Sequence, residues 1–312
     1  MSVLGNPETF PGHDGGAWRP VSSTIVASWP AGHFAENLAV SDVGDVFVSL
    51  HTHNRIERYC PSTDSVRTFA ELPAPVAGLA FAAEGWLWAT GGAVGQTPGY
   101  VWRVNPDGSF EPWVEITDAL FMNGCTPCGR SLLVCESLTG RILSVDMKEP
   151  TWRTWLADER LRPTSPQMPG ANGIKLWRSH AYISMTDSNK IFDALVDANG
   201  VPGSLSVFAD RLRADDFAFA ESGAMYIATH PVQTVMRLNA DGERTTLAGP
   251  AEGVVGSTAC AFGRTAKDME SLYVTTSGGL FAPYQGKLQD AKLVRLEVGE
   301  RGASVLKTRR SS

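Results

Sequence analysis

Short runs of apolar and aromatic residues, each opened by a turn, recur six times along the chain. They are Val46-Phe47-Val48-Ser49, Trp86-Leu87-Trp88-Ala89, Leu132-Leu133-Val134-Cys135, Ala181-Tyr182-Ile183-Ser184, Met225-Tyr226-Ile227-Ala228 and Leu272-Tyr273-Val274-Thr275. Neighbouring copies stand about 40 to 50 residues apart, the period of a propeller blade. Each is followed by a second run that alternates apolar and polar, such as Ile56 to Tyr59, Val101 to Val104 and Val235 to Leu238. Polar turns then follow, among them Asn105-Pro106-Asp107-Gly108 and Asn239-Ala240-Asp241-Gly242, whose Asp-Gly pairs suit hairpins. A third alternating run completes the unit, for example Ser65 to Phe69. Ahead of each unit lies a strand of small and apolar residues, such as Leu38-Ala39-Val40 or Ala259-Cys260-Ala261-Phe262, which fits the crowded axis of a ring.

Four antiparallel strands repeated six times predict an all-β, six-bladed β-propeller, an architecture without long exposed edges. The leading strand Thr24 to Ser28 has no partner ahead of it and is expected to close the ring as the outer strand of the last blade. Residues 1–20, polar and rich in Gly and Pro, are read as an N-terminal extension, and residues 21–312 as one propeller domain.

In register, the repeats also locate candidate chemistry. Glu36, Ala77 and Asp215 each stand eight positions before a turn glycine, Gly44, Gly85 and Gly223. Asn123, Asn172 and Ser257 fall at or near the same point in the other blades, so six side chains converge on one end of the axis. Two carboxylates with amide oxygens between them form an oxygen-only cage suited to a hard divalent cation, Ca²⁺ first, with Mg²⁺, Mn²⁺ or Zn²⁺ as alternatives. The same residues would also serve as strand caps or hold ordered water. Asn37 and Asp216, next in line, would substitute as ligands where a strand is bulged. The loops at the same mouth carry His51, His53, Asp187-Ser188 and His230-Pro231. Since His51 and His53 alternate, at most one of them faces the channel; His230 is the preferred candidate for moving protons beside an activated water.

Composition narrows the function classes. With 43% hydrophobic and 19% charged residues, the chain has ample material for a core, and a net charge of −6 disfavours nucleic acid. The one basic cluster, Lys307 to Arg310, sits at the C-terminal tip. No apolar run reaches membrane-span length, and the start lacks the pattern of a secretory signal, so a cytoplasmic protein is expected. Five cysteines, an odd number without disulfide-like spacing, agree with a reducing compartment; Cys125 and Cys128 lack a second pair for a zinc site. Gly91 to Gly95 precedes a strand, not a helix, and so is no phosphate loop. No serine lies in a nucleophile elbow.

These segments resemble the senescence-marker-protein/gluconolactonase family of six-bladed propellers, from about Phe34 to Val298. Glu36-Asn37-Leu38-Ala39-Val40 is similar to the family's segment bearing a metal-binding glutamate. Asn172-Gly173-Ile174, followed by Tyr182 to Ser188, resembles its asparagine-ligand stretch, and Asp215-Asp216-Phe217 the segment whose aspartate is both ligand and base. The resemblance implies Glu36, Asn172 and Asp215 as metal ligands, Asn123 contacting substrate or metal, and a metal-dependent hydrolase of a lactone or related ester, with Asp215 and His230 as catalytic candidates. One departure stands out: Phe121 and Met122 occupy the place where sugar lactonases of the family carry an arginine. That implies a more apolar pocket, with Phe121, Met122, His51, Asp187 and Asp216 as candidate substrate contacts. Two alternatives are a non-hydrolytic enzyme, an isomerase or pericyclase of natural-product metabolism, using the same mouth, and a propeller that only binds a small molecule. The sequence leaves the oligomeric state open.

Overall fold

The computed structural model describes residues 13–82, 85–165 and 168–303. Six sheets, each of four antiparallel strands in the order inner to outer, are arranged as blades around an axis. The inner strands are Ala35–Val40, Val76–Phe81, Met122–Cys128, Ala171–Trp177, Phe217–Phe219 and Ser257–Phe262. They touch one another around the ring, while the apolar faces of adjacent sheets pack in layers between the blades. The six signature runs form the second strands, where alternation places one residue on each face of a buried sheet. Ser23–Trp29 pairs antiparallel with Ala291–Glu297 and is the outer strand of the sixth blade.

The fifth sheet carries an additional strand. Ala17–Trp18 pairs in parallel with Arg244–Ala248, and the backbone N–H of Asp14 donates to the Arg211 carbonyl. Part of the segment read as an extension is thus joined to the propeller, beyond the reach of a period count because its strand is two residues long. His13 is buried there, and its Nδ1 accepts from the backbone N–H of Arg213 at 3.2 Å. Burial, with Arg244 close by, pulls this imidazole down to about 4. The basic cluster Lys307 to Arg310 lies outside the described residues. Among the described residues no helix is long and apolar enough to cross a membrane, and all five cysteines are free.

One irregularity sets up the site. The pairing of inner to second strand slips between Ala35 and Leu38, Val76 and Leu79, Met122 and Cys125, Ala171 and Ile174, and Ser257 and Ala259. A bulge suspends the two-residue alternation, so consecutive residues no longer face opposite sides. Glu36-Asn37, Asn123-Gly124 and Asn172-Gly173 lie inside these bulges. Asp215 and Asp216 stand just ahead of the short fifth inner strand and exchange backbone hydrogen bonds with Ala228.

Candidate metal centre and substrate mouth

Hydroxyls staple the ring positions of neighbouring blades together. The hydroxyls of Ser49, Thr90 and Ser184, one position on the second strands, donate to the carbonyls of Ala77, Asn123 and Asp215 in the next blade. Thr258 closes the circle onto the Ala35 carbonyl at 2.7 Å. Such contacts need close backbone approach at the axis. A Cβ on Gly124 would lie 2.6 Å from the Asn172 carbonyl oxygen, and one on Gly173 would lie 2.5 Å from Asp216 Oδ1. The glycine following each ring asparagine is therefore a packing requirement.

The ring itself is buried. Glu36, Asn123, Asn172 and Asp215 are each 5% exposed or less. Asn172 Nδ2 donates to Asp215 Oδ1 at 2.5 Å and to Thr186 Oγ1 at 2.9 Å. His230 Nδ1 is 3.6 Å from Asp215 Oδ2, and Ser277 Oγ is 3.5 Å from the other ring nitrogen. Glu36 Oε2 and Asn123 Oδ1 are buried without a hydrogen-bond partner. Burial, reinforced by the charge of Asp216, pushes the Glu36 carboxyl up to about 8. Burial also drives Asp215 well above the carboxylate range, with Glu36 and Asp216 adding to it. His230 goes the other way, down to about 4, through burial and the nearby Arg213. Burial therefore favours the neutral form of all three groups, with the Glu36 carboxyl and the His230 imidazole shifted past neutral pH and Asp215 moved in the same direction as Glu36.

One step further along the inner strands lies a second arrangement. Asp216 receives both oxygens' worth of contact from Lys175 Nζ, at 2.5 and 2.8 Å, and a hydrogen bond from Asn37 Nδ2 at 3.1 Å. Lys175 also lines a cavity of about 350 Å³ at the opposite end of the channel, beside Trp177, Phe262, Arg264 and Arg301. With all three buried acids ionised, the single Lys175 ammonium would leave a deficit of two positive charges around the axis, and that is what favours the protonated form of the upper pair. A divalent cation fits that deficit, and the orphaned Glu36 and Asn123 oxygens are the type of donor it prefers. Among the described residues no group of three or more His, Cys, Asp or Glu is placed to hold a metal, so the cage depends on its amide oxygens.

The other sequence candidates separate. Phe121 and His51 line the mouth, with ring centroids 6.2 Å apart. His51 turns inward, Nδ1 meeting the Val76 carbonyl at 3.2 Å, while His53 turns outward and stacks on His33. Met122 is not a pocket wall. It is fully buried between the second and third blades, against Gly99, because the bulge begins one residue later. Asp187 is likewise engaged elsewhere: its Oδ2 accepts from the backbone N–H and hydroxyl of Thr164, pinning the loop before the fourth blade. Asp216 belongs to the Lys175 pair and not to the mouth. Ser257 spends its hydroxyl on the Thr234 carbonyl. Cys125 is buried, its thiol raised to about 12, and Cys128 is half-buried, as packing residues are.

Sequence reasoning missed Lys175, Phe34, Phe281 and Gln233. Lys175 sits in an inner strand whose other residues read as core, and an unpaired lysine there was itself a signal that a carboxylate lies opposite.

With this geometry in place, comparison with known proteins adds a second line. No protein-family model matches the chain, and no curated protein does. Solved structures do. A luciferin-regenerating enzyme superposes with a TM-score of 0.70 at 13% identity, covering 91% of this chain and 98% of its own. Regucalcin from Agrobacterium tumefaciens, described as a calcium-binding protein, gives 0.67 at 16%, covering 90% and 96%. A gluconolactonase from Xanthomonas campestris gives 0.64 at 11%, covering 88% and 89%. The likeness is one of fold. These neighbours are six-bladed propellers of the senescence-marker-protein/gluconolactonase type, the same group that the sequence segments resemble.

Proposed function

We propose that the protein is a metal-dependent hydrolase of a lactone or related ester, with Glu36, Asn172 and Asp215 holding a divalent cation and Asn123 beside it. The observation that carries this reading is the pair of buried acids, Glu36 and Asp215, that make no ion pair with Lys or Arg among the described residues, together with the unpartnered oxygens of Glu36 and Asn123. When bound, a divalent cation supplies Lewis acidity at a carbonyl and a lower pKa for water. The chain supplies the rest. Asp215, fixed by Asn172, is the base that takes the proton of the attacking water. His230, 3.6 Å away, is the group we assign to carrying that proton outward toward the mouth, a transfer that needs the bound cation to bring the Asp215 pKa down first. Glu36 and Asn123 contribute buried oxygens that no group among the described residues satisfies. The calcium-binding and gluconolactonase descriptions of the fold neighbours support the same reading.

The test is turnover of a panel of lactones and aryl esters by chelated protein before and after each of Ca²⁺, Mg²⁺, Mn²⁺ and Zn²⁺ is restored. Activity that disappears with the cation and returns with it is expected; full activity in excess EDTA would overturn the proposal and favour a cation-independent reaction at the same mouth.

A further inference from the structure

Above Asp215 the mouth is lined on one side by aromatic rings from five parts of the chain. Phe34, ahead of the first inner strand, is the hub. Its centroid is 5.8 Å from His51, 6.1 Å from His230 and 5.4 Å from Phe281. His230 and Phe281 meet edge to face at 5.7 Å, and His51 meets Phe121 at 6.2 Å. The arc therefore runs from Phe281 in the sixth blade, across Phe34, to Phe121 before the third. It also reaches down to the acid, since His230 is the residue beside Asp215.

The rings are not packed away. Phe34, His51 and Phe121 are half-buried, and Phe281 is 64% exposed, one of the few large apolar side chains left open to water. Nor is Phe281 placed loosely. Gln233 Nε2 donates to the carbonyl of Ala282 at 2.7 Å, and Ala282 is itself buried. Gln289 closes the same loop by donating its backbone N–H to the Gly278 carbonyl. On the same face of the disc the fourth blade is polar: Thr186 and Asp187 make hydrogen bonds, and Ser188 Oγ is buried without a partner. The mouth is thus lopsided, with aromatic faces on one side, hydroxyl and amide groups on the other, and the carboxylate ring below.

A polyhydroxy sugar ring would leave most of its hydroxyls against those aromatic faces without partners, which a binding site penalises. A flat, unsaturated group would instead stack on or meet the rings edge to face, and its carbonyl would reach the polar ring. We infer that the substrate is an aryl-fused or otherwise flat aromatic lactone or ester, seated against Phe34 and Phe281, which act as the specificity-determining residues. This rests on the hydrolase reading for the reaction but not for the shape of the ligand.

The experiment uses the cation-loaded full chain with dihydrocoumarin and glucono-1,5-lactone as substrates, and 3,4-dihydroquinolin-2-one, the unreactive lactam counterpart of the first, as a binding probe. The expected result is a kcat/KM for dihydrocoumarin at least about 100-fold above that for the sugar lactone. Phe281→Ala and Phe34→Leu should each shrink that ratio about tenfold, mainly through KM, the scale of one lost aromatic contact plus its buried area. Val43→Ala, on an exposed turn at the other end of the blades, should leave the ratio untouched. Preference for the sugar lactone, or equal losses on both substrates in the phenylalanine variants, would overturn the inference and leave the hydrolase reading standing. Lactam binding that weakens in Phe281→Ala, with no lactone turned over, would support the aromatic ligand while removing the hydrolase reading. Absence of both turnover and lactam binding would overturn the inference.

Discussion

Asp215 and Asp216 are neighbours in the chain and equally buried, yet they belong to two different regions of the channel. Asp215 faces the upper ring, where its partners are an amide, a neutral histidine and another acid. Asp216 faces the lower channel, where Lys175 and Asn37 satisfy it. The lower carboxylate is neutralised by the chain itself; the upper one is left short of a positive charge. A buried pair with its hydrogen bonds made is a structural element, whereas a buried acid without a counter-charge marks a place where something else binds or where protons move. The two aspartates thus divide structure from chemistry within a single dipeptide.

Conservative substitution should separate them most sharply. Asp215→Asn keeps its bond to Asn172 and removes a buried acid that has no basic partner, so the variant is expected to fold at least as well as the parent and to lose about 10³-fold or more in kcat/KM. Asp216→Asn should do the reverse, with reduced stability and, in the folded fraction, a much smaller loss of turnover. Parallel activity and thermal-melt measurements on the pair decide this; similar activity losses in two well-folded variants would erase the distinction.

Lys175→Met probes the same contrast from the other side. It strands Asp216 at 3% exposure, a change expected to cost on the order of 3 kcal/mol in urea unfolding. A variant as stable as the parent would mean that the Lys175–Asp216 pair does not organise the lower channel.

A smaller effect should appear in the pH dependence of the cation-free protein. The Glu36 carboxyl ionises at about 8 in the folded chain and near 4.5 when unfolded, so the folded state holds an extra proton between those values. Stability from this group is therefore lost as pH rises through the window, and Asp215 shifts in the same direction. His230, depressed to about 4, opposes this only below its ordinary 6.5. The melting temperature of chelated protein should fall between pH 6.5 and 8, and saturating calcium should flatten the slope. A flat profile without calcium would show that the upper acids are already compensated.

Much of this was legible in the sequence, for a physical reason. A blade repeats its strands and turns, so aligning turn glycines places Glu36 and Asp215 at one level of the axis, with Asn123 and Asn172 at or near it, without any structure. The bulges were not legible, because a slipped register leaves no mark on composition. They explain why Met122 is packed between blades when Phe121 beside it is not. The hydroxyls of Ser49 and Ser184 were visible as the small polar residue ending two of the signature runs, and that of Thr90 just after a third, but not as staples onto the next blade. The aromatic arc was least accessible, since Phe34, Phe121 and Phe281 come from loops that obey no period.

The most direct measurement is calorimetric titration of calcium into chelated wild-type, Asp215→Asn and Asp216→Asn proteins at pH 7.5. One site per chain is expected in the wild type and, in its folded fraction, in Asp216→Asn, with proton release visible as a buffer-dependent heat. No binding is expected in Asp215→Asn. Calcium binding that persists unchanged in Asp215→Asn, or that is absent from the wild type, would contradict a metal centre at the upper ring.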